Sequence, residues 1–534
     1  MASTEGAAMI LGEREPRRGA NSLTVEAVFR SLARRHPKAL ALADPDNRET
    51  FTDSAPRRLT YAEADRAVTA IAARLRHMGL PTDAIVGIQL PNIVENSLAM
   101  FGIWRAGMIV APLPLLWRRA DAVAALARIG AKALISCGHV GAFSHCQFAM
   151  SVAADVFSIR YVCGFGKNLP DGVVPLDDLL DAEKAEKIGP LPATDADRQT
   201  GERGNNAAAH LAAVTFDVGE RGVVPVARNH AELFAGGLAV LLESGIAEGS
   251  TILSAIVPSS FGGICLTLLP WLLSGGALLL HHPFDAAVLA RQQRRERCGT
   301  LVLPGPVALR LAETSAFVLE GPACVIAAWR APERLTDSAA WREPNTVLVD
   351  VPIFGEAALA AERRGADGKP EPLPLGPIVA PRGSPDAVVV AELTPTAAGT
   401  LAMRGPMVPH HSFPPGIERS GLPYFKIGER GLVDTGYACR ADSVTGTIVI
   451  TGAPTGIVSV GGYRFPLRNL QDVVGRIDAG ATLGALPDPL TGQRLSGQAT
   501  DRLTMQAALN AVGVNPLVVA AFGDRGERLA APHD

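Results

Sequence analysis

The sequence predicts an α/β fold: a parallel sheet covered by helices, followed by a β-rich region. Three observations predict it. Residues 23–138 alternate helix-like amphipathic stretches with short apolar, β-branched runs, and the alternation resumes after residue 210. A Pro- and Gly-rich segment, "GADGKPEPLPLGPIVAPRGSP", then gives way to shorter β-like runs. Alternating strands and helices with short connections imply parallel pairing, because each crossover helix lies on a sheet face. With 534 residues, the chain exceeds the ~250–300 residues at which a single core stops growing, so several domains or one large composite are expected.

In chain order, "TVEAVFRSLARRHP" reads as an amphipathic helix and "ALALAD" as a short strand. "LTYAEADRAVTAIAARLRHMGL" opens with Thr60 as N-cap and runs as a long helix to a stop at Gly79. Strand "AIVGIQL", helix "ENSLAMFGIWRAG", strand "MIVAPLP", helix "RADAVAALARIGA" and strand "ALISC" follow. The stretch 191–210 is polar and aperiodic, a surface loop or linker. "HLAAVTF" is a strand leading into "DVGERG", and "AELFAGGLAVLLESGI" beyond it is helix-like. "TILSAIVP", "GALLLHH", "GTLVLPG", "CVIAAW" and "TVLVDVPIFG" continue the alternation; "AVVVAELT", "GTLAMRG", "TGTIVITG" and "GIVSVGG" form the β-rich part.

Composition removes several function classes. The formal net charge is -3 and the basic residues are spread along the chain, so there is no footprint for nucleic acid or an anionic membrane. Seven scattered cysteines form no CxxC pair and read as thiols in a reducing, cytoplasmic compartment. The N-terminal segment, 1–22, is read as a flexible tail, neither signal peptide nor transit helix. The apolar run "GGICLTLLPWLLSGGALLL" is cut by Pro270 and by Gly275-Gly276, giving helix, turn and buried strand rather than a membrane span. The pairs His281-His282 and His410-His411 lack acidic or Cys partners at metal spacing, so no metal site is expected. "RQQRRERCG" reads as a solvated helix face.

Four stretches, in this order, carry a family resemblance: residues 59–113, "GTLAMRGPMV", "IVSVGGYRFPLRNLQDVV" and "LGALPDPLTGQRL". The chain resembles the adenylate-forming superfamily of acyl-CoA synthetases, adenylation domains and luciferases over residues 23–522. The resemblance implies a large N-terminal domain, 23–452, with two stacked sheets and a β-rich subdomain, and a small α+β C-terminal domain, 453–534, hinged near Gly452. It further implies ATP, Mg and CoA as cofactors and a small-molecule carboxylic acid or acyl-CoA as ligand. Whether the chain forms a homodimer or works with a partner enzyme stays open.

Adenylation joins a carboxylate to an α-phosphate, which needs positive charge and directed donors around the phosphates. The family's Thr-Ser-Gly-Thr-Thr-Gly loop matches Asp217 to Gly222, where Gly219 and Gly222 remain but the hydroxyls and the following Lys do not. Asp217 and Glu220 place carboxylates where phosphates would lie, which is repulsive; Arg221 could offset part of this. The family's Gly-Gly-Ala-Pro becomes Trp329, Arg330, Ala331 and Pro332. An outward Trp329 on a repacked loop and a Trp329 that blocks the pocket are both open. Of Tyr-Gly-x-Thr-Glu, Phe354 and Gly355 survive, Ala357 and Ala358 replace Thr and Glu, and Glu356 is out of step.

Thr-Gly-Asp fits best as Thr435, Gly436 and Tyr437, with a rival register placing Glu429 at the Asp. The hinge Arg is Ala453, and no Lys follows Lys426 to serve as the C-terminal catalytic lysine. His230 and Phe261 match family positions at a helix start and near the acyl pocket, with packing as the favoured role for each. No catalytic residue is carried over. Two functions follow: an acyl-CoA synthetase-like ligase with a divergent nucleotide site, and a non-catalytic relative that keeps the acyl or CoA cleft for binding or for partnering an active enzyme.

Overall fold

The computed structural model describes residues 23–191, 207–314 and 321–523. The expected tail, 1–22, and most of the expected 191–210 linker lie outside the described residues. Two mixed sheets carry the large unit. One orders its main strands as Ala358–Leu359, Val347–Phe354, Cys324–Trp329, Thr300–Pro304, Thr251–Ser254, Ala277–Leu280, Leu40–Ala43 and Arg58–Thr60, parallel from Val347–Phe354 through Leu40–Ala43. The other runs Gly222–Asn229, Leu211–Gly219, Ile109–Pro112, Ile85–Ile88, Ala133–Cys137, Tyr161–Phe165 and Val174–Pro175.

The long helix Tyr61–His77 starts as expected, with a capping box between Thr60 and Glu63. The "GGICLTLLPWLLSGGALLL" run resolves into helices Phe261–Leu266 and Leu268–Ser274 and strand Ala277–Leu280. No helix among the described residues is long and apolar enough to cross a membrane. Between the sheets, Phe29 stacks on Phe101 at 4.6 Å and Trp271 stacks on Tyr61 at 6.0 Å, an arrangement that adds directional packing to a large apolar core.

A buried ionic cluster ties the end of strand Leu40–Ala43 to helix Val94–Arg105. Arg48 pairs with Asp44 and, at 2.8 Å, with Glu95, while Asp44 accepts from the Val94 N–H at the helix start. Burial, then the nearby Glu95, pushes Asp44 up to about 6 against the pull of Arg48.

A six-stranded antiparallel sheet, from Leu373–Pro374 at one edge to Gly376–Ala380 at the other, forms the β-rich subdomain. Past Gly452 the chain builds a four-stranded sheet with helices Leu467–Ile477, Arg502–Val512 and Pro516–Ala520 around its own apolar cluster. This C-terminal unit docks on the large one at several points. Tyr463 Oη accepts from the Leu116 N–H at 3.2 Å, Arg334 donates to the Asp488 carbonyl at 2.7 Å, and the Ala120 N–H donates to the Gly513 carbonyl at 3.0 Å.

Candidate functional site

The loop framed by Gly219 and Gly222 is the tip of an antiparallel hairpin, Leu211–Gly219 against Gly222–Asn229, with Gly219 facing Gly222 across a two-residue turn. Gly222 has φ +102°, which favours glycine there. Glu220 and Arg221 occupy the exposed turn, and Glu220 lines the open recess beside it. The eight-residue strand Gly222–Asn229 is a segment the sequence reading left unassigned.

Asp217, two residues back along the first strand, has a cationic partner. Its carboxylate pairs with Arg464, delivered by the C-terminal unit on strand Tyr463–Pro466, and accepts from the Glu356 N–H at 3.3 Å. The pair rests on Gly355, whose φ is +58°. A Cβ on residue 355 would stand 2.5 Å from Asp217 Oδ2 and 2.6 Å from Arg464 Nη1, so glycine alone fits under it. Burial alone would lower the Arg464 pKa, but Asp217 outweighs it and the guanidinium is held charged.

Phe354 and Tyr437 lie beneath, edge to face at 5.6 Å, with Arg464 5.8 Å above the Tyr437 ring. Tyr437 is buried, and burial pushes its phenol up to about 12. Its hydroxyl has no hydrogen-bond partner among the described residues. Tyr437, the residue that the resemblance sets at the ribose-binding position, is a packed ring. Thr435 Oγ1 donates to the Leu401 carbonyl at 2.7 Å, a sheet-stabilising bond, and Glu429 of the rival register is exposed.

Glu356 is buried, with Oε2 accepting from the Phe261 N–H at 2.8 Å; burial raises its pKa and Arg330 opposes the rise. Phe261 is fully buried beneath Arg228, whose guanidinium carbon lies 3.6 Å from the ring centre. Arg228 also donates to the Met407, Glu356 and Ala357 carbonyls. His230 sits elsewhere: its Nδ1 accepts from the Val25 N–H at 3.3 Å, securing the first helix, and burial depresses its pKa to about 3.

The outward placement of Trp329 is not what is found, since the side chain is buried. The indole turns into the core behind the cleft, where Nε1 donates to Asp350 at 2.7 Å and Asp350 in turn receives Arg364 at 2.7 Å. Room comes from Gly305, where a Cβ would stand 2.3 Å from the indole. Trp329 belongs to a different apolar cluster from Phe354. Trp329 also lines an apolar crevice of about 230 Å³ between the two units.

Three cavities meet here. An inner cavity of about 220 Å³ is walled by Trp117, Phe216, Ile353, Ser260, Arg330, Glu356 and the Gly461-to-Arg464 turn of the C-terminal unit. It shares Ile256, Pro304, Arg330, Gly461 and Gly462 with the apolar crevice. On the other side of the Asp217–Arg464 pair, an open recess of about 450 Å³ is lined by Gly219, Phe354, Lys426, Asp434 and Thr435. The ion pair borders both the inner cavity and the recess.

Two carboxylates of this cleft already have partners: Asp217 pairs with Arg464, and Glu356 accepts from the Phe261 N–H. The sequence reading missed Arg464 and Tyr463 as site residues. Their signal was a basic and an aromatic residue directly after the Gly461-Gly462 turn. It also passed over Arg228 and noted Arg330 only as a lost glycine.

The sequence pattern of the AMP-binding enzyme family matches residues 29–323, more than half of the chain. The chain belongs to this family, and to the adenylate-forming superfamily. A salicyl-AMP ligase / salicyl-S-ArCP synthetase of Mycobacterium tuberculosis is 32% identical over 141 residues, 26% of this chain and 24% of that protein. Long-chain fatty acid transport protein 1 of Homo sapiens is 27% identical over 188 residues, 33% of this chain and 26% of that protein. These matches span only about a quarter of the relatives' own length.

Among solved structures, the apo MbtA of Mycobacterium smegmatis matches with TM-score 0.62 at 19% identity, covering 93% of this chain and 90% of that one. The o-succinylbenzoate CoA synthetase of Bacillus subtilis gives 0.65 at 14%, covering 91% and 92%. The amide bond synthetase McbA of Marinactinospora thermotolerans gives 0.64 at 17%, covering 93% and 94%. At such identities they establish the fold.

Proposed function

We propose that this protein is an acyl-CoA synthetase-like member of the family that holds a small carboxylic acid or acyl group in its cleft without activating it by a nucleotide. It would serve as a binding protein or as partner to an active ligase. The Asp217–Arg464 pair seated on Gly355 carries this reading. On this reading the pair takes the position at which an incoming acid would meet a phosphate, and its charge balance needs no nucleotide. The reading takes the chain as two units, 23–452 and 453–534, hinged near Gly452. It also places the protein in a reducing compartment such as the cytoplasm, as its seven free cysteines support.

The test is direct. Purified protein is titrated with ATP and magnesium in a calorimeter, then assayed for pyrophosphate release with a panel of acids. No heat of binding and no release are expected; acid-dependent release overturns the reading. One observation favours a second reading, a working ligase using ATP, magnesium and CoA. The open recess beside the hairpin is roomy, about 450 Å³, and Lys426, Asp434 and Thr435 face it.

A further inference from the structure

Two guanidinium groups line the inner cavity, Arg330 and Arg464. Arg464 pairs with Asp217, and its Nε has no hydrogen-bond partner among the described residues. Arg330 has one hydrogen-bond partner among the described residues, the neutral Ser260 Oγ. Its stem crosses Gly462 of the C-terminal unit, where a Cβ would stand 2.8 Å from Arg330 Cδ. The head borders both the inner cavity and the apolar crevice. Glu356 acts on it electrostatically but gives its Oε2 to the Phe261 N–H.

A guanidinium stays charged at any working pH, and holding it half-buried with no carboxylate hydrogen-bonded to it leaves donors that an incoming anion can take. The cavity beside it is walled by apolar Trp117, Phe216 and Ile353. Its volume of about 220 Å³ exceeds the ~150 Å³ cavity that takes up benzene in an engineered core.

We propose that Arg330 is the receptor for the carboxylate of a small, compact organic acid, whose apolar body lies against Trp117, Phe216 and Ile353. The acid binds at the seam between the two units, with no nucleotide present. This rests on the acid-holding reading above and names the residue that performs it. The family pattern that the sequence resembles has glycine at this position, so on that resemblance the charge is a departure of this chain. Its planar fork matches a carboxylate bidentately.

The full chain is tested without ATP by calorimetry and thermal melts. The probes are benzoate and 3-methylbutanoate, with benzamide as neutral isostere and inorganic phosphate as an anion lacking an apolar body. At least one of the two acids is expected to bind saturably and raise the melting temperature. Benzamide and phosphate should bind at least about tenfold more weakly, the worth of a charge-assisted hydrogen bond. Arg330→Met should lose binding by a similar factor, Arg330→Lys should recover part of it, and Ser260→Ala, which frees the guanidinium to wander, should cost a few-fold.

Melts without ligand check the fold. If Arg330→Met does not fold, the benzamide comparison and Ser260→Ala decide. The proposal is overturned if neither acid binds, if benzamide or phosphate matches the acids, or if Arg330→Met or, failing that, Ser260→Ala binds as the parent does. Acid-dependent pyrophosphate release, by contrast, would sink the nucleotide-free reading while leaving the charge preference standing.

Discussion

Two carboxylate–guanidinium assemblies in this molecule share one chemistry and differ in what they join. Asp44, Arg48 and Glu95 lie within the large unit, their side chains at most 2% exposed. Asp217 and Arg464 are 247 residues apart in sequence, keep 19% and 12% of their side-chain surface, and bridge two units with separate apolar clusters. The first can be broken only by unfolding what surrounds it. The second can be broken by swinging one unit off the other. Ionic chemistry in the cleft of this fold therefore bears on the posture of the domains more than on the stability of either.

The contrast is sharpest in Arg48→Met. It would leave Asp44 and Glu95 buried with the shared cation gone, and a loss on the order of 3–5 kcal/mol is expected in urea unfolding. A loss below about 1 kcal/mol would break the comparison from its buried side.

Next in size is a pH effect at Glu362, a third buried carboxyl, in the large unit. Burial pushes it up to about 7, with Glu243 adding to the rise and Arg382 opposing it. The folded state thus holds this proton more tightly than the unfolded chain does. The stability it brings is full below its ordinary value of about 4.3 and is lost as pH climbs through about 7. Between pH 5 and 8 the parent should lose on the order of 2 kcal/mol from this group, and Glu362→Gln should flatten the curve. An unchanged slope in the variant would assign the pH dependence elsewhere.

Asp217→Asn should cost about 1 kcal/mol or less in global stability, as befits a pair at a seam. It should nonetheless hasten proteolysis near residues 452–456 and enlarge the radius of gyration in solution scattering. A stability loss as large as that of Arg48→Met, with no change in shape, would erase the difference between the two assemblies.

The smallest effect belongs to Tyr437→Phe. The buried hydroxyl has no partner among the described residues, so its removal should be neutral or stabilising by up to about 1 kcal/mol. A clear loss in thermal melts would mean that the ring is held by its oxygen.

Local features were legible in the sequence. Thr60 and Glu63 form the capping box that opens a helix, and Gly275 ends one with φ +69°, where the apolar run was read as broken. Parallel strands such as Ile85–Ile88 and Ala133–Cys137 followed from β-branched runs between helices. What depended on distant partners was not legible. Trp329 has a place in the core only because Gly305 leaves room and Asp350 supplies an acceptor. Asp217 looked like a misplaced negative charge because its cation arrives from the other end of the chain. His230 does open helix His230–Ser244, but its ring holds the amide of Val25, a partner far back in the sequence.

The Trp329 niche also constrains how this sequence can change. Editing Trp329 toward the family's glycine would open a void beside Gly305 and orphan Asp350 next to Arg364, a buried charge pair deprived of one donor. Changing Asp217 alone would strand Arg464 above Gly355. Each of these changes is therefore expected to lower stability on its own. Trp329 and Asp217 are interlocked with their surroundings, so altering either means rebuilding the back of the strand or the seam with it.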